Sequence, residues 1–263
     1  MSVFRFYDQY LSSNLPIIAA VLFYFLDLVF GRKLTPLNYQ ESKRDVGWYL
    51  LQHNLLPSIL LTFSRIFVPA LILNRLWTNY LEGSSIKNID LGIFSFILIF
   101  ILRDVLYYIN HRLFHTIPFL WRFHSLHHSS RDMTSLSAIR THPLEDLFHD
   151  IAISLPLALI ASSPSTILFF SFFETVFPHW VHSRIHLTKN HRFNFFVTPL
   201  IHHWHHALDR HHPKGQNFGI YTVIWDKLLG TYYCEERPPE TYGVQNPDYP
   251  EGYVGRLLYP FIR

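Results

Sequence analysis

The chain has 263 residues, of which 49% are hydrophobic, 17% aromatic and only 16% charged. Ordinary soluble domains carry about 25% charged residues, so much of this surface faces something other than water, and a membrane is the obvious candidate. A formal charge of +3, with no stripe of Lys and Arg interleaved with aromatics, argues against a nucleic-acid partner. Cys234 is the single cysteine, so no internal disulfide can form.

The amino-terminal stretch MSVFRFYDQYLSSNLP lacks a compact basic region and a small-residue cleavage site, and no signal peptide is expected. Four apolar stretches follow: Pro16 to Phe30, Leu50 to Trp77, Leu91 to Leu102 running on to Ile109, and Ile151 to Phe173. Asp27, Asn54, Arg65 and Arg103 interrupt or flank them, so none is an unbroken run of the roughly 20 apolar residues that span a bilayer. Topology is read from the basic residues, because short cytoplasmic loops hold the excess of Lys and Arg. Arg32, Lys33, Lys43 and Arg44 lie between the first two stretches, whereas Lys87 stands beside Glu82 and Asp90 in the next loop. The first loop is therefore assigned to the cytoplasm, and the third stretch brings the chain back there just before His111.

A single crossing by the fourth stretch would separate the later histidines from the earlier ones. Ser162, Ser163 and Pro164 supply a helix-breaking turn midway. Two legs of about 25 Å each, at about 1.5 Å per residue, make a shallow hairpin, re-entrant or tightly paired. From Asn190 onward the chain is polar, richer in Pro and Gly, and reads as a cap on the cytoplasmic face.

Seventeen of the 18 histidines lie between His111 and His212. They form spaced groups: HRLFH at His111 and His115, HSLHH at His124, His127 and His128, HWVHSRIH at His179, His182 and His186, and HHWHH with His202, His205 and His206. Helical residues three or four apart share a face, so each group points two or three imidazoles at one place. Imidazole suits Fe, Zn, Cu or Ni and does not name the metal. Eight or more convergent histidines exceed a tetrahedral zinc site and suggest two ions with room for an exogenous ligand. HRLFH lacks the glutamate of the H-E-x-x-H zinc proteases, and no Glu-x-x-His motif of carboxylate-bridged di-iron bundles accompanies the clusters. Isolated histidines such as His53 and His149 read as ordinary hydrogen-bonded residues, and His211 and His212, before Pro213, as a loop.

DVLYYINHRLFH, LWRFHSLHHSS, TSLSAIRTHPLE, TPLIHHWHH and NFGIYTVIWDKLLGTYY, in this order from Asp104 to Tyr233, resemble the fatty acid hydroxylase and sterol desaturase superfamily. The resemblance implies a non-haem di-iron centre with an all-histidine shell on the cytoplasmic side of a helical membrane bundle. Carried over by position, the ligands are His111, His115, His124, His127, His128, His182, His202, His205 and His206. His179 joins this set if the third group is read as H-x-x-H, and His186 if it is read as H-x-x-x-H. His203 stands where the family usually has Arg. Asp104, seven residues before His111 and on the same helical face, is placed either to orient an imidazole or to form a buried salt bridge with a neighbouring Arg. Arg140, His142 and Glu145 anchor the cap or line the site, with His142 kept as an extra candidate ligand, and Asp226 supports the site or the fold around it.

The expected fold is accordingly an all-α integral-membrane helical bundle with a cytoplasmic histidine-rich helical cap. Residues 1–110 hold about three transmembrane helices. Residues 111–263 hold the di-metal catalytic region, with a membrane hairpin near 147–177 and a C-terminal cytoplasmic cap, and 1–263 form a single functional domain. The expected function is an O2-dependent membrane lipid hydroxylase or desaturase with two Fe ions as cofactor and O2 as co-substrate, acting on carbon that acid–base groups cannot activate. No heme motif of the cytochrome b5 kind and no strand-G-x-G-x-x-G-helix motif is present, so a separate electron donor, a cytochrome b5 or ferredoxin type reductase system, is implied. An ether-lipid oxidase of the alkylglycerol monooxygenase type uses the same motifs and stays open. A histidine-rich metal transporter is the rival from another class, but transport sites sit near the midplane of spanning helices, and these clusters follow the apolar segments. Endoplasmic reticulum and bacterial inner membrane both remain open as the multi-pass location.

Overall fold

Prolines set where several of the helices begin. The computed structural model describes residues 12–51, 93–154, 164–185, 195–208, 215–246 and 248–262. Among the described residues the structure is helical without a strand, apart from single antiparallel bridges between Phe196 and Thr222 and between Ala207 and Tyr242. We number the helices α1 (Ser12–Phe30), α2 (36–51), α3 (Ile93–Thr116), α4 (Pro118–His124), α5 (Pro143–His149), α6 (Pro164–His182), α7 (Pro199–His205), α8 (Ile224–Leu228) and α9 (Tyr253–Ile262). Short 3-10 turns cover His127–Ser129 and Ser135–Ile139, and α5 runs into one π turn over Asp150–Ser154.

Proline opens α4, α5 and α7, at the position where its missing N–H costs nothing and its fixed φ suits the helix. Caps complete two of these starts: Thr198 accepts from the Ile201 amide, and His142 Nδ1 accepts from the Leu144 amide at 3.1 Å. These starts place the histidine groups on short helices and turns whose first residues cannot slide.

The first apolar stretch lies in α1, and the third, from Ile93 on, lies in α3, which continues unbroken to Thr116. Asp104, His111 and His115 therefore share one helix. Beyond residue 51 the second stretch falls outside the described residues, as do residues 155–163 of the expected hairpin and His53, His186, His211 and His212; α6 begins at Pro164. Among the described residues no helix is long and apolar enough to cross a membrane; Arg103 and Asp104 put charge in the middle of α3.

Helix α1 packs on α6 and on the Ser135–Ile139 turn, α3 on α4 and the π turn, and α7 on α6. Val181, Val197, Ile201, Ile220 and Val223 form a buried core beneath α6 and α7. Polar clamps hold the rest. Asp27 of α1, only 1% exposed, accepts from the amides of Ser135 (2.8 Å) and Arg184 (2.7 Å). Buried Arg140 reaches α2, meeting Asp45 at 2.5 Å and Glu41 at 2.9 Å, and Trp48 Nε1 donates to the Thr141 carbonyl at 2.8 Å. Removing one partner of a buried ion pair strands the other and costs about 3–5 kcal/mol. Arg140→Ala should therefore lower stability by about that much in denaturant titrations of the purified protein, with Arg140→Lys recovering only part.

Candidate metal centre

Four segments bring histidines to one place. His111 and His115 lie one turn apart on α3. His124 closes α4, and the following 3-10 turn carries His127 and His128. His182 ends α6, and α7 carries His202 and His205 with His206 as its C-cap. They sort into two sets: His111, His115, His124, His128 and His205, and beside it His127, His182, His202 and His206, with the ligand atoms of each set within 4.8 Å of one another. The sets abut, since the His128 and His206 rings stack at 4.2 Å. Each H-x-x-H-H group is divided between them. His124 and His128 join the first set and His127 the second, whereas His202 and His206 join the second and His205 the first.

Hydrogen bonds fix which ring nitrogen carries the proton. Nδ1 of His111 faces the Phe218 carbonyl at 2.8 Å, that of His127 the Arg140 carbonyl at 3.1 Å, that of His182 the Pro178 carbonyl at 2.7 Å, and that of His205 the Gln216 carbonyl at 2.7 Å. A carbonyl oxygen only accepts, so each Nδ1 is the N–H donor, and in a neutral imidazole Nε2 is then a bare lone pair. His124 Nδ1 likewise faces Glu145 Oε1 at 2.5 Å.

Yet Nε2 of His111 lies 3.1 Å from Nε2 of His124, and Nε2 of His127 lies 3.1 Å from Nε2 of His182. For the His127–His182 pair an extra proton does not resolve the contact. Burial drives the His127 imidazole down to about 3 and holds His111 and His182 well below the ordinary histidine range. Two lone pairs at that distance repel unless a cation lies within reach of both. A metal–imidazole bond of about 2.1 Å sets neighbouring ligands at right angles about 3 Å apart, so the donor set fits metal ions. The carbonyl and carboxylate partners on Nδ1 are those that orient metal-bound histidines.

The other candidate residues stand behind this centre and not in either set. Asp104 takes the Thr222 amide (3.2 Å), the Thr222 hydroxyl (2.5 Å) and Trp225 Nε1 (2.9 Å), tying α3 to α8 and the loop before it. Asp226 accepts from the amides of Phe218 and Gly219, each at 2.8 Å, and from the Thr231 hydroxyl at 2.7 Å. It thereby shapes the turn whose Phe218 carbonyl holds His111. Burial pushes its carboxyl up to about 6 despite these donors. Arg140 gives His127 its carbonyl, while its guanidinium holds Glu41 and Asp45 of α2 and reaches the Ser129 hydroxyl at 3.5 Å. His142 caps α5 through Nδ1, and its Nε2 donates to the Leu257 carbonyl at 3.1 Å. His179 donates Nδ1–H to the Ser135 carbonyl at 2.8 Å and stacks on Phe23 of α1. His203 bridges the Tyr242 hydroxyl and the Ser183 carbonyl, both at 2.9 Å.

The carbonyls of Phe218, Arg140, Pro178 and Gln216 are partners that sequence reasoning missed; a backbone oxygen leaves no mark in a sequence. The carboxylates of Glu41 and Asp45, which hold Arg140 from α2, were missed too, although their spacing of four on a helix with Arg44 and Lys43 was visible. A cavity of about 260 Å³ reaches His111, His124, His127, His182 and His202 and is closed on other sides by Tyr107, Glu145 and Tyr221.

Among the described residues, two adjacent sets of buried imidazoles against such a cavity form a site that could hold metal ions. The chain belongs to the fatty acid hydroxylase family, whose model matches residues 96–231. It is 30% identical over 171 residues to an ornithine lipid hydroxylase, OlsE, of Rhizobium tropici, covering 65% of this chain and 51% of that protein. It is 31% identical over 144 residues to the alkylglycerol monooxygenase of Homo sapiens, covering 55% and 32% respectively. Over 142 residues it is 34% identical to sphinganine C4-monooxygenase 2 of Arabidopsis thaliana, covering 52% and 54%. The chain thus spans about half of the first and third of these relatives and about a third of the second. No solved structure matches it.

Gly219 makes a test of the turn behind His111. A Cβ there would meet the Thr222 carbonyl oxygen at 2.4 Å and Asp226 Oδ2 at 2.9 Å, so Gly219→Ala must displace the turn. Loss of such an orienting partner typically costs about 10- to 100-fold in metal affinity. Chelator competition titrations of the purified protein should show a loss in that range.

Proposed function

We propose that this protein is an O2-dependent lipid monooxygenase whose two histidine sets hold two iron ions. The observation that carries the reading is the convergence of nine imidazoles in two adjacent sets, with Nδ1 of at least four given to backbone carbonyls and Nε2 turned inward. When bound, iron at these nitrogens would supply the reductive use of O2 needed to oxidise an unactivated carbon.

The chain's own part is to position and to exclude. Backbone carbonyls fix the rings, so the histidines serve as ligands and not as general bases. Burial disfavours the charged form of His111, His127, His128, His182, His202 and His206, which keeps these rings ready to bind. Tyr107, Ile153 and Ile220 on the cavity wall set which carbon approaches. Electrons would come from a separate donor of the cytochrome b5 or ferredoxin type.

A bilayer location is part of the proposal. Exposed apolar side chains on α1 and α3 support it, among them Val21 (64%), Phe25 (57%) and Phe94 (72%). With residues 1–110 in the bilayer and 111–263 forming the catalytic region, its membrane hairpin and its cytoplasmic cap, substrate would enter laterally from the lipid. The similarity to alkylglycerol monooxygenase favours ether-lipid oxidation as the second reading of the same centre.

Purified protein should carry about two iron ions per chain and convert lipid extracts only with O2 and a reductant. His127→Ala removes one of the four imidazoles of the second set, and should lower bound metal toward one ion per chain and abolish product by mass spectrometry. Metal flux through liposomes without any lipid product would overturn the oxygenase reading.

A further inference from the structure

Another cavity, of about 200 Å³, lies between α2 and the start of α9, with Arg44, Trp48, Arg140, Glu251, Tyr253 and Arg256 on its wall. It shares no described lining residue with the cavity at the metal centre. Arg256 is only 8% exposed; its Nε donates to the Pro250 carbonyl at 2.8 Å and its Nη1 to the Ser129 hydroxyl at 3.1 Å. Arg140 Nη1 reaches the same hydroxyl at 3.5 Å, so two guanidiniums meet on one neutral oxygen.

The carboxylates nearby are taken. Asp45 and Glu41 hold Arg140, and Glu41 also meets Arg44 at 2.7 Å and Arg131 at 3.5 Å. Glu251, whose side chain is 76% exposed, faces Arg131 at 3.8 Å. Four guanidiniums therefore share three carboxylates, and among the described residues none of the three pairs with Arg256. A buried cation without a counter-charge is costly. Burial and the neighbouring Arg140 pull the Arg256 guanidinium below the ordinary arginine range, as expected where an anion is wanting.

Helix α9 indicates where the anion comes from. Val254, Leu258 and Ile262 recur at every fourth position and are exposed, with Phe261 beside them, whereas Arg256 and Pro260 face inward. A short helix with an exposed apolar stripe above basic side chains is built to lie in a membrane surface. Tyr253 begins this helix and also lines the arginine cavity.

We propose that the cavity takes the phosphate of an anionic membrane phospholipid, with α9 lying in the bilayer surface beside it. The arginine fork matches phosphate oxygens, and the acyl chains run along the stripe from Val254. This lipid is a bound neighbour and not the substrate, so the proposal rests on the bilayer location and not on the metal.

The probes are dioctanoyl phosphatidic acid, dioctanoyl phosphatidylcholine and dioctanoylglycerol in matched non-ionic micelles, and inorganic phosphate, each titrated calorimetrically into the purified full chain. Phosphatidic acid should bind about tenfold more tightly than each of the others, the worth of one charge-assisted hydrogen bond; choline brings a cation to the arginines, and free phosphate lacks chains. Arg256→Gln should reduce phosphatidic acid to the level of dioctanoylglycerol. Two exposed positions serve should that variant fail to accumulate: Glu251→Gln should tighten phosphatidic acid binding, and Val254→Asp should weaken it while leaving inorganic phosphate in place. Equal binding of the three lipids would overturn the site and leave the bilayer location standing. Inorganic phosphate binding as tightly as phosphatidic acid would overturn the lipid source, and binding of none of the lipids would overturn the bilayer location with it.

Discussion

A carbonyl oxygen on the outer nitrogen of an imidazole is a small interaction, yet the centre depends on it four times over. It commits Nδ1 of His111, His127, His182 and His205 as a donor and so turns a bare Nε2 inward. Inside a protein such a bond costs no charge, unlike a carboxylate partner, and it survives in a dry interior where the imidazole must stay neutral. The contacts of 3.1 Å between facing Nε2 atoms follow from that choice.

The carbonyls must themselves be held, and polar clamps at a distance do this. Asp226 fixes the turn carrying the Phe218 carbonyl by accepting two of its amides. Arg140 places its own carbonyl by anchoring its guanidinium to Asp45 and Glu41 on α2. Asp27 pins α1 to the segments at Ser135 and Arg184, on either side of His182 and His179. Helices that contribute no histidine to either set thus still govern where the histidines stand. Glu145 is the exception among these supports, because it touches an imidazole directly and also faces the cavity.

Much of the centre was legible beforehand, and the reason is periodicity. H-x-x-x-H and H-x-x-H-H place rings on one helical face whatever the tertiary fold, so the nine histidines of the two sets were all named from spacing and resemblance. The helical class was legible in the same way. What spacing could not decide was the partition, since each H-x-x-H-H group straddles the two sets and the two groups divide in opposite senses. Nor could it tell His179, which shares its helix turn with His182 but points at Ser135 and Phe23, from its neighbour.

The sequence by itself determined the donor chemistry, the helical scaffold and the starts of the short helices, because proline geometry and residue spacing act locally. Tertiary structure alone decided which imidazoles meet, which nitrogen each presents, and that acids line the cavity, because these depend on contacts across long stretches of chain. Asp104 shows the difference: its place on the face of His111 was readable, but its partners are Thr222 and Trp225, more than a hundred residues away. Hydrogen-bond geometry across that distance is set by packing, and no local pattern encodes it.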